Sequence, residues 1–221
     1  MIPVLTIDGP SGVGKGTVAN IVAAKLKWHI LDSGAIYRAF ALAASKRDIQ
    51  TDNTEQLLEL ASNLDLRFAP DSANNALGVY LDSQEVSSEL RTEKTAELAS
   101  KFAMIGALRE SLLIRQQNFR KPPGLVADGR DMGTVVFKDA PFKVFLIANV
   151  EERAKRRLKQ LHLRGITGNI SHTLEDVRKR DERDASRKHS PLKPSKDALI
   201  IDTSDLTVDE VVTKVMALVK V

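Results

Sequence analysis

The chain has 221 residues, of which 43% are hydrophobic and 28% charged, the composition of a soluble protein with a sizeable core. Disordered, collagen-like and fibrous classes are thereby excluded. The absence of cysteine excludes disulfides, thiolate metal sites and cysteine nucleophiles, and a cytoplasmic location is expected. No basic leader and no apolar run near ~20 residues occurs, so we expect neither a targeting segment nor a membrane span.

The net charge of +4 comes from one segment of the chain. Residues 151–196 contain 14 basic and 7 acidic side chains, whereas the rest of the chain contains 19 and 22. This basic segment holds no aromatic residue, although proteins that bind single-stranded nucleic acid usually combine basic grooves with aromatic stacking platforms. We therefore expect no nucleic-acid partner.

Strand and helix patterns alternate along most of the chain, which predicts a parallel sheet. Five short apolar runs predict strands over 4–8, 29–32, 125–128, 143–148 and 198–202. Because the runs are nearly continuous in Val, Ile and Leu, helices are expected on both faces of the sheet. Apolar spacing predicts these helices over 16–27, 36–46, 92–120, 150–163, 173–186 and 208–219.

A glycine-rich loop follows the first predicted strand and precedes the first helix. Gly9, Gly14 and Lys15 fit the spacing of the phosphate-binding loop, G-x-x-x-x-G-K. Backbone N–H groups of such a loop and the positive end of its helix bind phosphate oxygens. The charge of the lysine can stay with the phosphoryl group while that group is transferred. The predicted ATP-binding residues are Gly9, Pro10, Ser11, Gly12, Val13, Gly14, Lys15, Gly16 and Thr17.

A magnesium ion is expected beside this loop as the cofactor of ATP. Gly16 occupies the position where the common pattern has Ser or Thr, and Thr17 is the nearest hydroxyl. Asp128 ends a predicted strand and supplies a carboxylate oxygen, which Mg²⁺ prefers, directly or through water. The predicted metal residues are therefore Thr17 and Asp128, although Asp128 also suits a cap of a turn.

Residues 65–90 interrupt the alternation of strands and helices. Apolar and polar residues alternate on both sides of a turn-rich stretch at 70–75, which predicts a small antiparallel insert. We assign the P-loop core to 1–64, 92–163 and 188–221, and the insert to 65–91. Residues 164–187, with basic helices around glycines, are interpreted as a mobile lid that brings arginines onto phosphates and excludes water.

Three further motifs narrow the interpretation. The Gly-Lys-Gly-Thr form of the loop is similar to that of nucleoside monophosphate kinases. The stretches LDSGAIYR at 31–38, ADGRDMGTVVF at 127–137 and RDERD at 180–184 resemble bacterial cytidylate kinases. The resemblance runs essentially from end to end of the chain, including the insert. It implies a P-loop α/β fold with a five-stranded parallel sheet, a small antiparallel insert and a helical lid.

The resemblance also implies which residues bind the acceptor, cytidine monophosphate (CMP). Ser33, Ser100, Arg109, Asp131 and Arg187 are expected around the nucleotide, Arg180 and Asp184 near its ribose, and Arg38 and Arg130 on its phosphate. Tyr37 either packs in the core or contacts the base. The residues expected to act in catalysis are Lys15, Arg130, Arg180, Arg183 and Arg187.

The expected reaction moves the γ-phosphoryl group of ATP to CMP or dCMP in one in-line step, and the protein is expected to be a monomer. A kinase for UMP, AMP or a small metabolite is the nearest alternative. A nucleotide-dependent nucleic-acid-binding protein is a more distant one. A GTP switch is disfavoured because the chain lacks the Asn-Lys-x-Asp sequence.

Overall fold

The computed structural model describes residues 1–70, 77–163, 165–188 and 190–219. Within them the chain forms two compact units, Met1–Asp32 with Gln117–Val221, and Ser33–Gln116. The predicted turn at 71–75 and Arg164 of the predicted lid lie outside the described residues.

Strands and helices alternate only in parts of the chain, because the three strands within residues 66–85 follow one another directly and several helices are consecutive. The strands are β1 Val4–Asp8, β2 His29–Asp32, β3 Leu66–Pro70, β4 Leu77–Leu81, β5 Gln84–Glu85, β6 Leu125–Asp128, β7 Phe142–Ile147 and β8 Leu199–Asp202. The helices are α1 Lys15–Leu26, α2 Ser33–Lys46, α3 Thr54–Ser62, α4 Ser87–Leu90, α5 Glu93–Phe102, α6 Gly106–Gln117, α7 Val150–His162, α8 Ile170–Ala185 and α9 Val208–Leu218. A π-helical turn, Met132–Val136, lies between β6 and β7.

The first unit contains a five-stranded parallel sheet in the order β2-β6-β1-β7-β8, which confirms the predicted fold class. Every residue of β1 and β6 is buried, as the continuous apolar runs predict. Leu5 and Val126 of the sheet belong to one buried cluster with Val18 of α1 and Val215 of α9. Each such side chain contributes about 1.5–3 kcal/mol by leaving water, so this cluster anchors the strand ends that carry the site.

The second unit combines five helices with a three-stranded antiparallel sheet in the order β3-β4-β5. The small antiparallel insert that alternation predicts is therefore confirmed. Register pairs Phe68 with Val79, and the rings of Phe40 and Phe102 meet edge to face at 5.3 Å.

The single helix predicted over 92–120 is wrong, because α5 ends at Phe102 and α6 begins at Gly106. The amides of Met104 and Ile105 close a turn onto the carbonyls of Lys101 and Phe102. Gly106 falls where a continuous helix would need an interior residue, a position at which glycine is destabilising. Two helices were not predicted: α3, which begins after an N-cap formed by the Asn53 side chain, and the short helix α4.

Candidate active site

Three neighbouring strands of the parallel sheet end in aspartate. Register pairs Asp32 with Asp128, and Asp128 also pairs with Ile7, the residue before Asp8. The carboxyl ends of parallel strands are where such sheets bind ligands. The first unit thus collects carboxylates at the edge from which the phosphate loop begins.

The phosphate loop has the conformation that glycine allows. Gly9 has φ of +146°, and a Cβ there would overlap the carbonyl oxygen of Leu146 on β7. Gly14 has φ of +94° and occupies the N-cap position of α1 without a side-chain cap. The first turn of α1 contains no acidic residue, so the positive N-terminal end of the helix is suited to an anion.

Lys15 is buried at the start of α1, where its Nζ donates a 2.9 Å hydrogen bond to the Pro10 carbonyl. Burial, followed by repulsion from Arg130, lowers the pKa of Lys15 to about 7, while Asp128 acts in the opposite direction. Anionic phosphates arriving at the loop would favour the charged lysine. Lys15 therefore lies within the loop, at a position from which its Nζ could reach a bound phosphate.

Arg130 and Arg187 converge on Asp184, a carboxylate of α8 that is 1% exposed. Arg130 Nε donates to Asp184 Oδ2 at 2.9 Å, and the Arg187 guanidinium donates to Asp184 Oδ1. Burial alone would raise the pKa of Asp184, but the charges of Arg130, Arg187 and Arg180 hold it below its usual value. Charges of Arg130, Arg180 and Asp184 also act on Lys15, so this part of the predicted catalytic set is brought together.

The last predicted catalytic arginine, Arg183, also lies on α8 and is half-buried. Its charge acts on Lys179 of the same helix. Its role in the reaction stays a prediction.

Arg153 of α7 connects the phosphate loop to α8. Its guanidinium donates to both carboxylate oxygens of Asp181, at 2.9 and 2.6 Å, and to the carbonyls of Ser11 and Ala148. The Arg153 backbone also lies against Gly12, where an added Cβ would come within 3.2 Å of its carbonyl oxygen. Arg153 thus ties the phosphate loop to α8 by hydrogen bonds.

The residues present fit a magnesium ion beside the loop. Asp128 is nearly buried, and its Oδ2 lies 3.4 Å from the position that a Cβ of Gly16 would occupy. Thr17 is exposed on the first turn of α1. In the described part of the chain no group of three or more His, Asp or Glu residues could hold a metal ion alone. Such a donor set suits Mg²⁺, which usually takes one or two carboxylates and completes its shell with water and substrate phosphates.

The second unit contains its own group of predicted acceptor residues. Ser33 and Tyr37 are buried on α2, and Arg38 is half-buried. The Arg109 guanidinium lies 5.6 Å from the centre of the Tyr37 ring, a cation–π arrangement. Tyr37 therefore packs against a predicted substrate residue. Ser100 is buried on α5, in the same unit.

The comparisons with known proteins place these features in one family. The sequence model of the family described as cytidylate kinase matches residues 5–221. A cytidylate kinase of Aeromonas salmonicida is 52% identical over 98% of this chain and 94% of its own length. One from Methylococcus capsulatus is 52% identical over 99% of this chain and 97% of its own length.

The chain belongs to the cytidylate kinase family. This membership confirms the resemblance indicated by the three motifs, and makes the chain a phosphotransferase. Among solved structures, a gluconokinase from Sinorhizobium meliloti is 14% identical with a TM-score of 0.43, over 98% of this chain and 90% of that chain. That likeness is too low to support a statement about function. No helix in the described ranges has the length and apolar character to cross a membrane.

Two buried polar residues, Asp8 and Gln116, were not among the predicted site residues of this cytidylate kinase family member. Asp8 accepts two backbone hydrogen bonds, from Met132 and Gly133, and is 4% exposed. Gln116, 2% exposed, accepts a 2.7 Å hydrogen bond from the Ser33 hydroxyl. Each carried a signal: Asp8 ends a strand as Asp128 does, and Gln116 is a polar residue on the buried face of its helix, seven positions after Arg109.

Proposed function

We propose that the chain transfers the γ-phosphoryl group of ATP to CMP or dCMP, giving ADP and the corresponding diphosphate. The observation that carries this proposal is the cluster in which half-buried Arg130 and Arg180 act on buried Lys15 and Asp184 beside a phosphate loop, in a chain of the cytidylate kinase family. A reaction between two polyanions needs several cations in one place, and this cluster provides them.

The chain's own residues supply positioning and charge. The amides of the phosphate loop and the N-terminal end of α1 would bind the β- and γ-phosphates, and Lys15 would exchange its bond to the Pro10 carbonyl for one to a phosphate oxygen. Arg130 is held by Asp184 and would face the acceptor phosphate. No general base is required, because the acceptor phosphate oxygen is already ionised near neutral pH. The transfer then proceeds in line, without a covalent enzyme intermediate.

Asp128 and Thr17 would hold the magnesium ion, directly or through water. When bound, Mg²⁺ neutralises charge that develops on the phosphate oxygens. Gly16 leaves space beside the Asp128 carboxylate that a Ser or Thr side chain would fill. This arrangement supports Asp128 as the main protein ligand in this chain.

The cytidine would be recognised by Ser33, Ser100, Arg109, Asp131 and Arg187, with Arg180 and Asp184 near its ribose and Arg38 near its phosphate. Three of these side chains, Ser33, Ser100 and Arg109, are buried in the second unit, which is typical of groups kept for a ligand or an internal hydrogen bond. Their hydroxyl and guanidinium groups match the donors and acceptors of cytosine. The chain would work on small nucleotides, with no nucleic-acid partner, as a monomer.

A nucleotide panel tests the substrate. ADP release is measured with ATP and CMP, dCMP, UMP or AMP in turn, each with and without Mg²⁺. We expect CMP and dCMP to give the highest kcat/KM, and activity to depend on the metal. Equal rates on all four acceptors would contradict the proposal for cytidine nucleotides.

Site variants test the residues. Lys15→Met and Arg130→Met are expected to lower kcat by at least a hundredfold in folded protein, because each removes a charge from the phosphate cluster. Lys46→Met and Arg47→Met are matched controls, since both cations are exposed and pair with the exposed carboxylates Glu89 and Asp82. Near-normal turnover in a site variant would remove that residue from the mechanism.

A further inference from the structure

Asp8 is the last residue of β1 and stands directly before Gly9, the first residue of the phosphate loop. Its carboxylate uses both oxygens: Oδ1 accepts from the Met132 amide at 2.9 Å, and Oδ2 accepts from the Gly133 amide at 2.8 Å. With 4% of the residue exposed, this pair of bonds is shielded from water. Such charge-assisted bonds are about twice as strong as neutral ones.

The two amides begin the π-helical turn Met132–Val136. Asp131 is the N-cap residue of that turn, yet its side chain makes no capping hydrogen bond to it. The Asp131 carbonyl instead accepts from Val135 and Val136. A residue more than a hundred positions away in sequence therefore caps this turn, a task that the local residue commonly performs.

The capped turn directly follows Arg130 and Asp131. Its two hydrogen bonds to Asp8 therefore fix the backbone from which these two side chains extend. Arg130 is held at its far end by Asp184, and its charge acts on Lys15 of the phosphate loop. Asp8 thus connects through one side chain the two backbone segments that carry Lys15 and Arg130. The Thr6 hydroxyl provides a contrast on the same strand, since it is fully buried but makes no hydrogen bond within the described residues.

We propose that Asp8 is a positioning residue that fixes the segment carrying Arg130 and Asp131 relative to the phosphate loop, so that donor and acceptor phosphates meet in line. The inference rests on the proposed function. In this role Asp8 contacts neither nucleotide. Burial raises the pKa of Asp8 to about 7 despite the two amide bonds, so ionising this side chain costs free energy in the folded protein.

The first test is Asp8→Asn, which keeps the shape but turns an NH₂ group toward one of the two amides. We expect kcat to fall at least tenfold and KM for CMP to rise, because small displacements of positioning groups cost large factors in rate. Affinity for ATP should stay within about threefold, because Arg153 still holds the loop through the Ser11 carbonyl.

Two controls separate positioning from folding. Thr6→Val changes the neighbouring buried side chain and loses no hydrogen bond, so its kinetics should match the unsubstituted protein. Leu5→Ala weakens the core around the same strand, so it should lower the folded fraction but leave kcat per folded molecule unchanged. If Asp8→Asn behaves like Leu5→Ala, or if its kcat is unchanged, the positioning role is refuted.

If Asp8→Asn does not fold, a second variant disturbs the same hydrogen bonds from the side of the π-helical turn. A Cβ on Gly133 would come 2.9 Å from the Thr6 hydroxyl oxygen, so Gly133→Ala should push the amide away from Asp8. We expect the same fall in kcat and rise in KM for CMP, with partial recovery when Thr6→Ala is added. Normal kinetics in Gly133→Ala would overturn the inference. Absence of CMP phosphorylation by the unsubstituted protein would instead refute the proposed function.

Discussion

The ion pair between Arg153 and Asp181 gives a quantitative prediction. Its two hydrogen bonds measure 2.9 and 2.6 Å, and the side chains are 7% and 28% exposed. Exposed pairs contribute about 0–1 kcal/mol, whereas breaking a buried pair costs about 3–5 kcal/mol. With one partner buried and the other partly exposed, Arg153→Met should lower the free energy of unfolding by about 3 kcal/mol, and the coupling energy with Asp181→Asn should be about 2 kcal/mol.

Urea unfolding of the unsubstituted protein, both single variants and the double variant measures that coupling energy. Arg178 and Glu151 provide the matched control, because they pair at 3.6 Å between the same two helices but are 58% and 61% exposed. Their cycle should give less than about 0.5 kcal/mol. Arg153→Met should also raise KM for ATP several-fold, since the Ser11 carbonyl loses its partner. A coupling energy for Arg153 and Asp181 no larger than the control value would refute this reasoning.

Three further outcomes are expected. Gly9→Ala should abolish ATP binding in calorimetry, because its Cβ would overlap the Leu146 carbonyl oxygen at a φ of +146°; retained affinity would show that the loop can adjust. Gln116→Leu should lower the ratio of kcat/KM for CMP to kcat/KM for UMP about tenfold. In the unsubstituted protein the Ser33 hydroxyl donates to Gln116; without that partner it can donate to a uracil carbonyl as well as accept from a cytosine amino group. An unchanged ratio would remove Ser33 from base selection. Burial raises the pKa of Asp8 from 3.8 to about 7, so between these pH values the folded protein holds a proton that the unfolded chain releases. The free energy of unfolding, compared with that of Asp8→Asn, should therefore fall by about 3 kcal/mol from pH 5 to pH 8 and stay level above pH 8. Urea unfolding of both proteins at the two pH values measures this difference.

Much of the first unit could be predicted from local patterns. The strands Val4–Asp8, His29–Asp32 and Leu125–Asp128 have the predicted bounds, because short apolar runs between turn residues mark the strands of a parallel sheet clearly. The break between α5 and α6 was not predicted, because apolar spacing continues across Ala103 and only the turn onto the Lys101 and Phe102 carbonyls ends the helix. Apolar periodicity predicts which face of a helix is buried, but it does not predict where one helix ends and the next begins in another direction.

The sequence by itself determined the class of chemistry. A glycine-rich loop between a strand and a helix binds phosphate through its own backbone N–H groups and its lysine, so Gly9, Gly14 and Lys15 identify it locally. The tertiary structure alone decided which distant groups meet that loop. Asp8 caps a turn that begins at Met132, and Arg153 joins Ser11 to Asp181, because parallel strands bring segments far apart in sequence to one edge of the sheet. Such pairings depend on strand order and register, which no single segment of the chain encodes.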